Sequence, residues 1–181
     1  MIKFPLARIN VVIGAKELMK VLVTAASHHG ATIEVADAIA RRLTSDGFEV
    51  VRKSPEEVDS VDGFDAVICG SAVYMTQWLP EAHDFMERFA QQLHKLPVWA
   101  FSVGMNGVPK HVPQDPSRIG PVLTRVDAKE LRSFAGRYDP SILSLRERAI
   151  VRLAGAVEGD FRDWNAIDQW AESIAEQLKQ E

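Results

Sequence analysis

A single cysteine, Cys69, stands in a chain of 181 residues, so no internal disulfide can form and a reducing compartment such as the cytoplasm is the expected setting. It lies in the apolar run 66–70, where a thiol is expected to be buried and inert. No apolar run approaches the roughly 18 residues of a transmembrane span. The N-terminal stretch, with Lys3, Arg8 and only a brief apolar patch at 11–13, makes a poor signal peptide. Neither sign of charge dominates, and a net charge of −4 lacks the basic footprint of a nucleic-acid binder. Several motifs are missing as well. There is no G-x-G-x-x-G dinucleotide fingerprint and no G-x-x-x-x-G-K-[ST] phosphate loop. His28, His29, His83, His94 and His111 show no metal-binding spacing, so no metal is expected. No G-x-S-x-G elbow surrounds Ser71 or Ser102, which argues against a serine hydrolase. Thr24, Ala25 and Ala26 stand where a response regulator would want an acidic cluster.

What is present is concentrated in residues 20–32, K-V-L-V-T-A-A-S-H-H-G-A-T. An apolar run, 21–26, breaks into a short polar turn containing Gly30. Thr32 then opens a periodic helix with Ala36, Ile39, Ala40 and Leu43 on one face. A strand, a turn and a helix start aim backbone N–H groups and the positive helix end at one point, which suits a phosphate. Ser27 and Thr32 add hydroxyls, so a phosphate monoester can be held without lysine or metal. The same two residues also suit helix capping and a turn.

Strands and helices alternate along the rest of the chain, the pattern of an α/β doubly wound sheet in a single domain. Further strands are expected at 48–52, 66–70, 97–103 and 131–137. A helix starting at Pro80 carries Phe85, Met86, Phe89, Ala90 and Leu93 on one side. Residues 104–120 read as a long Gly/Pro-rich loop and 121–128 as a short helix. A closing helix carries Trp164, Ile167, Trp170, Ala171, Ile174 and Leu178.

The turn at 27–32 resembles the T/S-x-T-G-x-T loop of flavodoxins, with His29 in place of the middle threonine. The likeness continues through A-S-H-H-G-A-T, V-I-C-G-S-A-V-Y-M-T-Q-W (67–78), F-A-G-R-Y-D-P (134–140) and G-D-F-R-D-W (159–164). Within the flavodoxin-like proteins it is most similar to the menaquinone-dependent protoporphyrinogen oxidase type and its bacterial relatives. The resemblance implies a five-stranded parallel sheet of order 2-1-3-4-5 with helices on both faces and an extra helix before the last. It also implies bound FMN at the carboxyl ends of the strands.

On this reading three turns converge on the cofactor. Ser27, His28, His29, Gly30, Ala31 and Thr32 would hold the phosphate, with His29 as an extra donor. Ala72, Val73, Tyr74, Met75 and Trp78 would wall the ring, where aromatic and thioether groups offer a flat, polarizable surface. Val103, Gly104, Met105 and Asn106 would reach its polar edge. Tyr74 and Trp78 also suit plain core packing. Thr76 stands where relatives often have glycine, which bears on redox tuning more than on binding. No catalytic residue stands out.

Residues 141–157 form an insertion with two apolar stripes beside a polar line of Ser144, Arg148 and Arg152, with Arg146 next to it. Such a segment suits peripheral contact with the inner face of a membrane, a cover for the sheet, or a homo-oligomer interface. In the oxidases that the chain resembles, an insertion of this kind separates them from short-chain flavodoxins. The resemblance therefore implies an FMN-dependent oxidoreductase that passes electrons from a porphyrinogen-like or other organic donor to a quinone. A non-catalytic electron carrier and a flavin-free interaction module are the alternatives, since fold does not fix function.

Residues 1–18 precede the family-like start, and the domain is expected to span 19–181. Lys16-Glu17 are encodable as AAG-GAG, a ribosome-binding sequence upstream of Met19, so translation from Met19 is expected. The alternative is a genuine extension packed on the domain or a neighbouring subunit. The intact mass of the native protein should match a start at Met19, and a start at Met1 would contradict this.

Overall fold

The structure, a computed structural model, describes residues 18–74, 77–104, 116–153, 155 and 157–180. All but the last residue of the expected N-terminal extension therefore lies outside the described residues. Strand β1 (Lys20–Ala26) leads into helix α1 (Ala31–Ser45), then β2 (Glu49–Lys53) and β3 (Ala66–Tyr74). A two-residue β4 (Gln77–Trp78) precedes α2 (Pro80–Arg88), α3 (Ala90–Leu93) and β5 (Val98–Gly104). Then come α4 (Pro116–Arg125), β6 (Glu130–Ala135), β7 (Arg137–Tyr138), α5 (Leu145–Leu153), β8 (Gly159–Asp160) and α6 (Trp164–Leu178).

Five parallel strands lie in the order β2-β1-β3-β5-β6. Counting only these five, that is the expected 2-1-3-4-5. The central strands are buried on both faces, so their sequences are apolar throughout rather than alternating. Alternate residues of β1 serve opposite layers. Val21, Val23 and Ala25 pack with Val35, Ile39, Trp170 and Ile174 of α1 and α6, whereas Leu22 and Ala26 pack with Phe85, Met86 and Val122 of α2 and α4. Gly70 keeps the first layer closed: a Cβ there would fall 2.0 Å from the Phe101 ring. Cys69 is fully buried, and burial pushes its thiol well above the ordinary range. Among the described residues no helix is long and apolar enough to cross a membrane.

Four boundaries differ from the sequence reading. Strand β3 continues past Gly70 to Tyr74 because β4 folds back antiparallel on it and supplies main-chain partners. The helix from Pro80 stops at Phe89, whose backbone leaves helical geometry and whose ring packs edge-on against Phe85 at 5.4 Å. Helix α4 starts at Pro116, five residues before the expected 121, so 116–120 are helical; the rest of the expected loop, 105–115, lies outside the described residues. The last strand does not run through to Arg137. It leaves the sheet after Ala135, and Arg137–Tyr138 pair instead with Gly159–Asp160 in a separate two-stranded sheet.

Candidate phosphate and ring site

The register places Ala26, Ser71 and Ser102 in one row across β1, β3 and β5. Chain direction then delivers the turns after these strands to one edge of the sheet, beside the start of α1. Gly30 makes the first turn possible. It adopts φ +82°, a left-handed conformation that L side chains rarely take, and sits at the N-cap of α1. No side chain caps this helix, so neither Ser27 nor Thr32 has the capping role that would explain it away. The first hydrogen bond of the helix runs from Glu34 N–H to the Gly30 carbonyl at 3.0 Å. The amides of Ala31, Thr32 and Ile33 therefore have no partner within the helix.

Thr32 is fully buried, and its Oγ1 has no hydrogen-bond partner. A buried, unpaired hydroxyl costs on the order of 1–3 kcal/mol. Thr24 Oγ1, Trp99 Nε1 and Glu81 Oε2 are also unpaired, but the first two lie on β1 and β5 inside the two core layers, and the third is a carboxylate oxygen in the first turn of α2. Only Thr32 of the four offers a hydroxyl donor at a helix mouth among free amides, where an acceptor oxygen from outside would satisfy it.

The second turn reaches this loop through one aromatic. The Tyr74 ring meets His28 edge-on at 5.0 Å between centroids and lies 6.3 Å from His29. Burial, with the charge of Glu147 adding to it, pushes the Tyr74 hydroxyl up to about 12, so it stays neutral at any physiological pH. The third turn touches the second at Gly104, where a Cβ would come 3.2 Å from Val73.

Other expected members of the site fall elsewhere. Trp78 does not wall an open ring site: it is 6% exposed in the α2/α4 core layer, and its indole N–H donates to Ser102 Oγ at 2.9 Å. The β3–β4 hairpin turns it inward, with Ser71 Oγ accepting the Leu79 amide at 2.9 Å. Its remaining edge lines a cavity of about 420 Å³ with Gln77, Pro80, His83, Asp84 and Ile119. Ala72 and Val103 are paired neighbours buried in the core layers rather than open surface. Met75, Met105, Asn106 and Thr76 lie outside the described residues.

Three residues that bear on the site escaped the sequence reading. Arg162, with its side chain 3% exposed, donates to both Asp160 oxygens at 2.8 and 2.5 Å, to Glu34 Oε2 at 2.8 Å and to the Ala31 carbonyl at 3.4 Å. Arg137 pairs with the other Glu34 oxygen at 3.1 Å. Glu34 thus joins the first turn of α1 to the β7–β8 sheet, and its carboxyl is held below the ordinary range chiefly by Arg162. The third residue is Glu147 on α5, whose Oε1 lies 3.1 Å from His29 Nε2. Its carboxyl is drawn down to about 2, first by Ser144 and then by His29. Ionised Glu147 can only accept, so His29 Nε2 donates to it and is not free for a phosphate.

A family model described as a flavodoxin domain matches residues 22–165. The chain belongs to the flavodoxin-domain family. Solved structures agree in fold. An archaeal flavodoxin superposes with a TM-score of 0.62 at 17% identity, covering 89% of this chain and 99% of that one. A variant of Pseudomonas aeruginosa flavodoxin gives 0.59 at 15% identity, with 89% and 99% covered. The rubredoxin oxygen:oxidoreductase of Desulfovibrio gigas gives 0.61 at 15% identity over 88% of this chain, which spans only 36% of that protein. No curated protein sequence matches significantly.

A flavodoxin domain implies a flavin, typically FMN, and the residues here fit its phosphate. An orphaned buried hydroxyl, a left-handed glycine and a run of unpaired amides form an acceptor-seeking cradle.

Two outcomes follow from this geometry. Thr32→Val should weaken FMN binding roughly 5- to 150-fold, yet leave the flavin-free protein as stable or more so, because it removes an unpaired buried hydroxyl. Fluorescence titration and thermal unfolding check both, and unchanged affinity would remove Thr32 from the cradle. Arg162→Met should destabilise the fold by ~1–3 kcal/mol at neutral pH. Glu34 and Asp160 both have lowered folded-state pKa values, so their contribution is complete above the ordinary carboxylate range and is lost as pH falls below it. The gap between variant and wild type should therefore shrink from pH 7 towards pH 3; a gap that widens in acid would contradict the assignment.

Proposed function

We propose that the chain is a cytoplasmic, FMN-dependent oxidoreductase that moves electrons from an organic donor of the porphyrinogen kind to a quinone. The observation that carries the cofactor is the unpaired Thr32 Oγ1 at the mouth of α1. Bound FMN would supply reversible storage of one or two electrons, and the protein's part is position and electrostatics. Gly30 and the amides of 31–33 fix the phosphate end. The exposed His28 ring and the half-buried Tyr74 ring offer an aromatic surface beside it, kept uncharged at the tyrosine. Arg162, through Glu34, holds the first turn of α1 in place.

The donor and acceptor classes rest on resemblance and on the 141–157 insertion, which sets the chain apart from short electron carriers. A carrier role is the second reading, because the chain matches flavodoxins over nearly their whole length.

Anaerobic assays of the FMN-loaded protein separate the two. Loss of a porphyrinogen that requires both FMN and a menaquinone analogue is the expected result. Electron exchange with redox proteins, without turnover of porphyrinogens or other organic donors, would establish a carrier instead.

A further inference from the structure

Helix α5 is mounted with its polar side inward. Glu147 reaches His29, and Arg148 donates to the Leu143 carbonyl at 3.0 Å and the Ser141 carbonyl at 3.4 Å. The Ser144–Glu147 hydrogen bonds close the helix start and fix this rotation. The apolar side consequently faces solvent. Leu145 is 83% and Leu153 89% exposed, with Ile150 about half exposed between them. Ile142 and Val157 extend the patch at either end, so five of the seven large exposed hydrophobic side chains among the described residues lie on this one segment. It does not cover the sheet; the sequence alternative of a cover helix is corrected by this orientation.

The charge around the patch singles out its occupant. Arg146 and Arg152 flank the leucines, are exposed, and make no ion pair among the described residues. Most other arginines of the domain are paired with carboxylates or carbonyls, for example Arg42, Arg52, Arg125 and Arg137. An apolar ridge between two unpaired guanidiniums is complementary to acyl chains below a layer of anionic headgroups. A second copy of the chain fits less well. A nine-residue helix is ~14 Å long and ~11 Å wide, an outward face on the order of 150 Å². Stable protein interfaces need ~800 Å² from each partner. Shallow insertion into lipid needs only a few side chains.

We infer that α5 docks the domain on an anionic lipid bilayer, with Leu145, Ile150 and Leu153 inserted and Arg146 and Arg152 on the headgroups. The inference does not depend on the flavin. Because the chain carries a net charge of −4, attraction to an anionic surface must come from this patch and not from the whole molecule.

Flotation of the full chain with phosphatidylcholine vesicles, with and without 30 mol% phosphatidylglycerol, tests it. Wild type should float with the anionic vesicles and much less with neutral ones. Arg146→Glu/Arg152→Glu should reduce partitioning at least about thirty-fold, the equivalent of two basic residues at an anionic surface. Arg41→Glu/Lys95→Glu, an equal change of net charge away from α5, should float like wild type. Leu145→Ser/Leu153→Ser should lose flotation while keeping wild-type circular dichroism and thermal stability, since both side chains are already in water. No flotation of wild type would overturn the proposal, as would flotation indifferent to both α5 variants. Sedimentation as a dimer that these variants dissolve, without lipid binding, would assign the face to a second copy instead.

Discussion

Burial of the parallel sheet on both faces is the constraint from which the rest follows. Strands that all point one way can be joined only by crossovers, and helices must then cover both sides. The carboxyl ends of β1, β3 and β5 are thereby collected along one edge, level at Ala26, Ser71 and Ser102. The same requirement brings the start of α1 to that edge with three unpaired amides. The candidate anion site is a by-product of how the sheet is connected. What the sequence adds is a glycine able to turn left-handed at 30 and a threonine whose hydroxyl nothing inside the protein satisfies.

That edge would be loosely held if it relied on the sheet alone. Instead it is tied to the far end of the chain. Glu34, two residues past Thr32, is gripped by Arg162 and Arg137, and Asp160 completes the set around the Arg162 guanidinium. The Trp164 ring lies under the same guanidinium at 4.5 Å. Removing a buried arginine from such a set leaves carboxylates facing each other, so the cluster acts as a unit. On the opposite side of the turn, α5 leans on His29 through Glu147. The first turn of α1 and the turn before it are thus held by the β7–β8 segment and by α5, and the latter carries an unpartnered apolar face.

The fold was legible from the sequence because buried parallel strands and amphipathic helices have different periods. The run 66–70 and the stripe on α6 needed no partner to be understood, except that Trp164 is exposed and stacks on Arg162 rather than joining the core. The turn at 27–32 was legible for the same local reason. Trp78 was not: whether an aromatic after a strand faces a ligand or the core depends on the β3–β4 hairpin, and only the pairing of Val73 with Trp78 decides it. The two C-terminal stretches at 134–140 and 159–164 stood out as motifs without a physical reason. The reason is tertiary, since their arginines converge on a glutamate more than a hundred residues earlier. The two apolar stripes of 141–157 did point to a helix, but not that Glu147 would reach His29 and turn the apolar side outward.

Everything proposed about electron transfer rests on the turn at 27–32 holding a phosphate monoester. Calorimetric titration of the purified protein with FMN and, separately, with riboflavin isolates that claim, because the two ligands differ only in the phosphate. FMN should bind on the order of a hundred-fold more tightly, as expected for two or more hydrogen bonds to a charged group. Equal affinities, or no binding of either ligand by folded protein, would contradict it.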